Sequence, residues 1–271
     1  MPTLAAVNAV VERLWPLSGA EGWDAPGLLV GDPDHVVTHV HLAVDAVLDT
    51  VDEAVELGAD LLLVHHPLLL RGVTTVAETT TKGAVIARLV RAGVALVAAH
   101  TNADVVRTGT SRVLADRLGL VDQDPIVAST APGTGLGIVG TLPEPTTLVA
   151  LATRLAEILP PTASGVRAAG EGDRVVSRVA LCGGAGDSLL GEPAVLGADA
   201  YVTSDLRHHP ASDARELHRL GRGPALVDVS HWASEWLWLE VAAAELRHEL
   251  PDVEVTVSDL RTDPWDFAVV Q

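Results

Sequence analysis

The chain has 271 residues, with 18 Lys and Arg against 36 Asp and Glu, a formal charge of −18 at pH 7 and a hydrophobic share of 48%. That is enough apolar chain for one large or two modest cores, and so acidic a balance argues against non-specific binding to nucleic acid or an anionic membrane. The single cysteine, Cys182, leaves no intrachain disulfide. With no basic leader and no run of about 18 apolar residues, neither a targeting segment nor a membrane span is read, and a reducing, cytoplasmic location is expected.

In chain order, residues 3–15 carry Leu4, Val7, Val10, Val11 and Leu14 as a helical stripe. Trp23 to Gly31 is turn-rich, with an apolar segment between two glycines. Val36–Val44 predicts a strand, 46–57 a helix closed by Gly58, and Asp60–Val64 a buried strand that ends in His65-His66-Pro67. A Thr-rich loop over 71–82 precedes a helix at 83–92. The strand at 94–99 ends in His100 with Asp104 beyond, and 109–118 predicts a further helix. This alternation of strand and helix implies mostly parallel sheets flanked by helices, an α/β fold.

Residues 121–134 lose periodicity and gather Pro, Thr and Gly, which predicts a passage into a second lobe. That lobe is expected to hold strands at 136–140, 175–181 and 198–203 and helices at 146–158 and 211–220, with Gly183–Gly186 as a tight turn. The strand 225–229 ends near His231. A helix over 232–249 then carries Trp232, Trp236, Leu239, Ala243 and Leu246 as one stripe, and a strand at 253–257 closes the regular structure. No internal repeat is read.

In open α/β sheets ligands gather at the carboxyl ends of strands, and three apolar runs here hand over to histidine at that end. His231 and Glu235 stand at i and i+4 and share one helix face. Imidazole and carboxylate without cysteine suit Zn, Fe, Mn, Ni or Co rather than a structural zinc knot. Adjacent His65 and His66 are better placed to bind one each of two close ions than to share one, and a carboxylate such as Glu235 can bridge such a pair. Asp205 with His208 and His209 follows the strand at 198–203, and these three join His100 as candidate catalytic groups; Asp24 and Asp45 are candidates for orienting histidines. Taken singly, a histidine at a strand end is more often a hydrogen-bonded core residue, and a His-Glu pair four apart more often a solvated helix face. The case rests on their recurrence.

Trp23-Asp24 with Gly27-Leu28 and Gly31, Gly58-Ala59-Asp60 running to His65-His66-Pro67, His100-Thr101-Asn102 with Asp104, Gly197-Ala198-Asp199 with Asp205 and His208-His209, and His231 with Glu235 together resemble the dinuclear metal-centre hexameric protein family, also called Nif-three-like or GTP cyclohydrolase I type 2. The match runs along nearly the whole chain, in the short form without an inserted domain. Ala25-Pro26 departs from the asparagine that often follows the Trp-Asp pair in that family. The resemblance implies a two-lobed protomer in a toroidal homohexamer, a trimer of dimers, holding two divalent ions per protomer. By position, His65 and His231 would hold one ion, His66 and Asp104 the other, and Glu235 would bridge. It also implies lobes at 1–125 and 126–224, with 225–271 returning to the first. The implied activity is metal-dependent hydrolysis of a small molecule, GTP or a phosphate ester; the alternative is a non-enzymatic metal-handling scaffold.

Overall fold

The computed structural model describes residues 1–269. Its strands and helices run α1 (Leu4–Leu14), β1 (Gly27–Val30), β2 (His39–Ala43), α2 (Leu48–Glu56), β3 (Leu61–Val64), α3 (Thr81–Ala92), β4 (Ala95–Ala98), α4 (Thr101–Asp104) and α5 (Thr110–Leu118). They continue as β5 (Val121–Ala128), β6 (Gly135–Thr147), α6 (Leu148–Ile158), β7 (Arg167–Ala169), β8 (Val175–Ala185), α7 (Pro193–Leu196), β9 (Ala200–Ser204), α8 (His208–Arg219), β10 (Ala225–Val229), α9 (His231–Glu249) and β11 (Glu254–Val257). No helix among the described residues is long and apolar enough to cross a membrane.

The chain divides into two compact units. The first comprises Met1–Val106 and Leu239–Thr262, and the second takes in Arg107–Trp238 and the segment from Asp263. The first unit holds a five-stranded sheet in the order β1-β4-β3-β2-β11, parallel except for β1. Every residue of β2, β3 and β4 is buried; β3 and β4 are continuous apolar runs, as buried parallel strands are, while β2 also buries His39 and His41. On one face α2 and α3 set Val51, Ala54, Val85 and Leu89 against Leu62, Val64 and Leu96. Ala43 pairs with Val64 and Val64 with Ala98, so β2, β3 and β4 end level and release Asp45, His65, His66 and His100 at one edge.

The second unit holds a six-stranded sheet in the order β5-β6-β8-β9-β10-β7. It is mixed, which corrects the expectation of mostly parallel sheets. Only β8–β9 and β9–β10 are parallel, while β5–β6, β6–β8 and β10–β7 are antiparallel. Two of those antiparallel strands were not expected as strands. β5 occupies the Pro-rich passage as a mostly exposed edge strand, where Pro125 is tolerated because an edge leaves its missing N–H unused. β7 is three residues long, beneath any periodic signal. β8 also continues through Gly183 and Gly184 to Ala185, so the glycine run is largely strand rather than turn.

The unit boundaries differ from the expected lobes. α5 packs on β6 and β8 and so belongs to the second unit. β10 lies in register between β9 and β7, and the chain rejoins the first unit only from Leu239, partway along α9. A short repeat also emerges. Gly58-Ala59-Asp60 precedes β3, and the Asp60 carboxylate accepts from the Thr38 and His39 amides at 2.7 and 3.1 Å. Gly197-Ala198-Asp199 precedes β9, and Asp199 accepts from the Ser177 and Arg178 amides at 2.9 and 2.8 Å. Each aspartate staples the start of its strand to its parallel neighbour. As in the first unit, the strands β8, β9 and β10 end level at Ala185, Ser204 and Val229.

Candidate metal centre

In the first unit β3 and β4 deliver His65, His66 and His100 to one place. One ligand atom from each lies within 4.8 Å of the others, a spacing that could hold a metal ion. The ring centroids stand 5.1 to 5.5 Å apart. Asp104, at the end of α4, brings Oδ1 to 3.7 Å from His65 Nε2. His65 is fully buried, whereas the side chains of His66 and His100 are 25% and 14% exposed, so the group is reachable from solvent.

The orientation of the rings is set by oxygen. His65 Nδ1 lies 2.8 Å from the Ala99 carbonyl, His66 Nδ1 2.7 Å from Asp45 Oδ1, and His100 Nδ1 2.8 Å from Asp24 Oδ1. A carbonyl or carboxylate oxygen only accepts, so Nδ1 carries the proton in each ring and the neutral imidazole presents its lone pair at Nε2. This is the arrangement by which outer oxygens fix metal-ligating histidines. Thr262, near the end of the first unit, donates in turn to Asp45 Oδ2.

Asp24 is the hub of the first unit's histidine group. Its buried carboxylate accepts from His100 Nδ1, from the Thr101 amide at 3.1 Å and hydroxyl at 2.5 Å, and from the Ala25 amide at 2.7 Å. Burial pushes its pKa up, but the bonds from His100, Thr101 and Ala25 outweigh it, and the carboxyl lies below its usual range. His100 is shifted down by burial first and by neighbouring His65 second, against the pull of Asp24, which keeps the ring neutral near pH 7.

In the second unit α9 opens on His231 and carries Glu235 one turn on. His231 Nδ1 lies 2.8 Å from Asp205 Oδ2, and its Nε2 lies 3.0 Å from Glu235 Oε1. Glu235 is 3% exposed. Asp205 can reach back because its backbone sits in the left-handed region, φ 55°. Burial pulls the His231 pKa down, yet the Glu235 charge and the bonds to Asp205 and Glu235 raise it to about 11.

Metal-free His231 is therefore an imidazolium at neutral pH, and it can ligate only after losing a proton. Metal binding at His231 is expected to release about one proton, and its apparent affinity to rise about tenfold per pH unit between pH 6 and 9. Because the folded pKa lies above the unfolded value, the ion pair also stabilises the metal-free fold below about pH 6.5, a contribution lost as pH climbs towards 11. Indicator-dye titration of parent and His231→Ala with Mn²⁺ or Zn²⁺ checks the first point; proton release unchanged by the substitution would contradict it.

Gly184 in the second unit and Thr262 in the first carry no obvious sequence signal of their role. Gly184 sits in β8 with φ 70°, and a Cβ there would overlap Glu235 Oε1 and lie 3.2 Å from His231 Nε2. The glycine is the space into which the carboxylate fits. Its position inside a strand, beside an approaching polar group, is the available clue. Thr262 has none, lying 217 residues from Asp45. His208 and His209 open α8 as an exposed ring pair 5.1 Å apart, outside the donor groups found among the described residues.

The model of the Duf34/NIF3 (NGG1p interacting factor 3) family matches residues 2–264. A Streptomyces coelicolor protein named GTP cyclohydrolase 1 type 2 homolog is 49% identical, over 98% of this chain and 94% of its own. One of the same name from Mycobacterium tuberculosis is 38% identical over 97% of each chain. Among solved structures, a Bacillus cereus protein related to NIF3 superposes with a TM-score of 0.90 at 24% identity, covering 98% of this chain and 99% of that one. A hypothetical protein from Staphylococcus aureus gives 0.88 at 29% identity, covering 99% of this chain and 100% of that one. The chain belongs to the Duf34/NIF3 family.

Proposed function

We propose that the chain is a dinuclear divalent-metal-dependent hydrolase of a small molecule, with His65 and His231 holding one ion, His66 and Asp104 the other, and Glu235 bridging. The observation that carries this reading is the set of four histidines whose Nδ1 atoms are all engaged by oxygens, so that Nε2 is the ligating nitrogen of His65, His66 and His100 and, once its imidazolium has lost a proton, of His231. Nitrogen and carboxylate donors without a thiolate fit Zn, Fe, Mn, Ni or Co. The name carried by the relatives, GTP cyclohydrolase 1 type 2 homolog, supports GTP as the first substrate to try, with phosphate esters second. Assembly as a homohexamer, a trimer of dimers, belongs to the same proposal by family likeness.

Two bound divalent ions supply Lewis acidity and lower the pKa of water, the chemistry hydrolysis needs near neutral pH. The chain supplies the rest. Asp24, Asp45, Asp205 and the Ala99 carbonyl fix the ring orientations. His100, neutral and donating its Nδ1 proton to the Asp24 carboxylate, accepts a proton at Nε2 and returns it to the leaving group. Asp205 acts through His231 as a positioning residue, and exposed His208 and His209 carry no step in this reading. Partial exposure of His66 and His100 favours a site that admits substrate over a sealed scaffold that only holds metal.

Metal-loaded protein assayed on GTP and on p-nitrophenyl phosphate tests the activity. The expected result is turnover that chelator abolishes and that His100→Ala lowers about a hundredfold or more. Turnover untouched by chelator, or by that substitution, would count against the reading.

A further inference from the structure

A cavity of about 310 Å³ lies wholly within the second unit, lined by Gly170 and Glu171 beyond β7 and by Arg215, His218 and Arg219 on α8. It stands at the start of β10, since a Cβ on Gly170 would meet Ala225 at 2.9 Å, whereas His231 follows that strand's other end. The five residues of β10 span roughly 13 Å between them. Gly170 has φ 146°, and the same Cβ would stand 3.5 Å from His218 Nε2, so this wall is bare backbone. The His218 side chain is 3% exposed, yet it lines the cavity. Its Nδ1 lies 3.2 Å from the Gly223 carbonyl and its Nε2 3.1 Å from Glu171 Oε2, which holds the ring on both sides.

The cavity is cationic in a chain of formal charge −18. Arg215 and Arg219 stand at i and i+4 on one face of α8. Arg219 pairs with its helix neighbour Glu216 at 3.2 Å, a surface contact of little strength, and Arg215 has no ion-pair partner among the described residues. His218 and Arg219 lie in the last turn and complement the helix dipole; Arg215 lies one turn earlier, where that reason does not reach. A further guanidinium, Arg174, closes the same turn as Glu171, and its buried Nε has no hydrogen-bond partner among the described residues. We propose that this cavity is an anion site, separate from the His231 end of the sheet, for a small molecule carrying two phosphate groups. It does not rest on the hydrolase reading. Guanidinium forks take phosphate oxygens two at a time, and two forks one helical turn apart match two linked phosphates better than one. The Glu171 side chain, 68% exposed, can turn into solvent as the anion enters. The volume is that of a small-ligand cavity rather than of a single bound ion.

The test titrates full-length parent, Arg215→Gln, Arg215→Gln/Arg219→Gln and Arg117→Gln calorimetrically with inorganic pyrophosphate, with metal content and circular dichroism measured for each. The parent is expected to bind it, Arg215→Gln about tenfold more weakly and the double variant about a hundredfold more weakly, with metal content and fold unchanged. Arg117, exposed on α5 and outside the cavity, is the control for net charge, and its variant is expected to bind as the parent does. A parent that does not bind pyrophosphate overturns the proposal. So does a double variant that binds as tightly as the parent, since the anion then sits elsewhere, on bound metal for example. Equal weakening in Arg117→Gln assigns the effect to overall charge and overturns it as well.

Discussion

Gly184→Ala is expected to strip about one ion from each protomer while most of the fold survives. The residue cannot move aside. Its amide donates to Ser234 Oγ at 2.9 Å and its carbonyl accepts from Thr203 Oγ1 at 3.0 Å, both buried. Nor can the new methyl be absorbed, because it would occupy the place of Glu235 Oε1. The carboxylate must turn away and lose its 3.0 Å contact with His231 Nε2. The left-handed backbone at φ 70° adds about 1–2 kcal/mol of strain for any L side chain. Gly191→Ala is the control, since a Cβ there meets nothing within 4 Å. Metal analysis beside circular dichroism reads the outcome: a folded Gly184→Ala protein holding as much metal as the parent would contradict the assignment of Glu235.

Asp24→Ala should have the larger effect on stability. It removes the acceptor for the Thr101 amide, the Thr101 hydroxyl and His100 Nδ1, all at a buried carboxylate. Leaving such donors without a partner costs roughly 3 kcal/mol, and releasing the His100 ring should weaken metal binding roughly ten- to a hundredfold. The pH dependence has a definite sign. The folded carboxyl titrates below the unfolded value of 3.8, so its contribution is present above that pH and fades as pH falls through the folded pKa. Denaturant titrations of parent and Asp24→Ala should therefore differ at pH 7 and converge in strong acid. Equal stability at pH 7 would show that the network is not what holds this loop.

The candidate ligands were legible because two independent signals coincide at each. β3 and β4 are short, wholly apolar and punctuated, and β10 is a short buried run with Asp228 its one polar residue, so their ends could be located from the sequence, and a histidine at or just past the end stands out against a buried run. The antiparallel part of the second sheet was hidden for the opposite reason. β5 is an edge strand with mostly polar or exposed positions and a proline, which imitates a loop. The Gly-Ala-Asp repeat was present as residues but too short to register as a repeat; only the staples made by Asp60 and Asp199 show that it does the same work twice. Gly184 illustrates the limit most clearly. A glycine between strand and helix suggests a turn, and nothing local discloses that a carboxylate fifty-one positions later needs its missing side chain. Thr262 and Asp45 are likewise joined only by the fold.

The most direct test of the account is the metal content per protomer of untagged protein purified without chelator, for the parent and for Glu235→Ala. A bridged pair requires about two ions in the parent, falling to one or none in the variant. One tightly held ion that the substitution leaves untouched, or no ion in the parent, would contradict it.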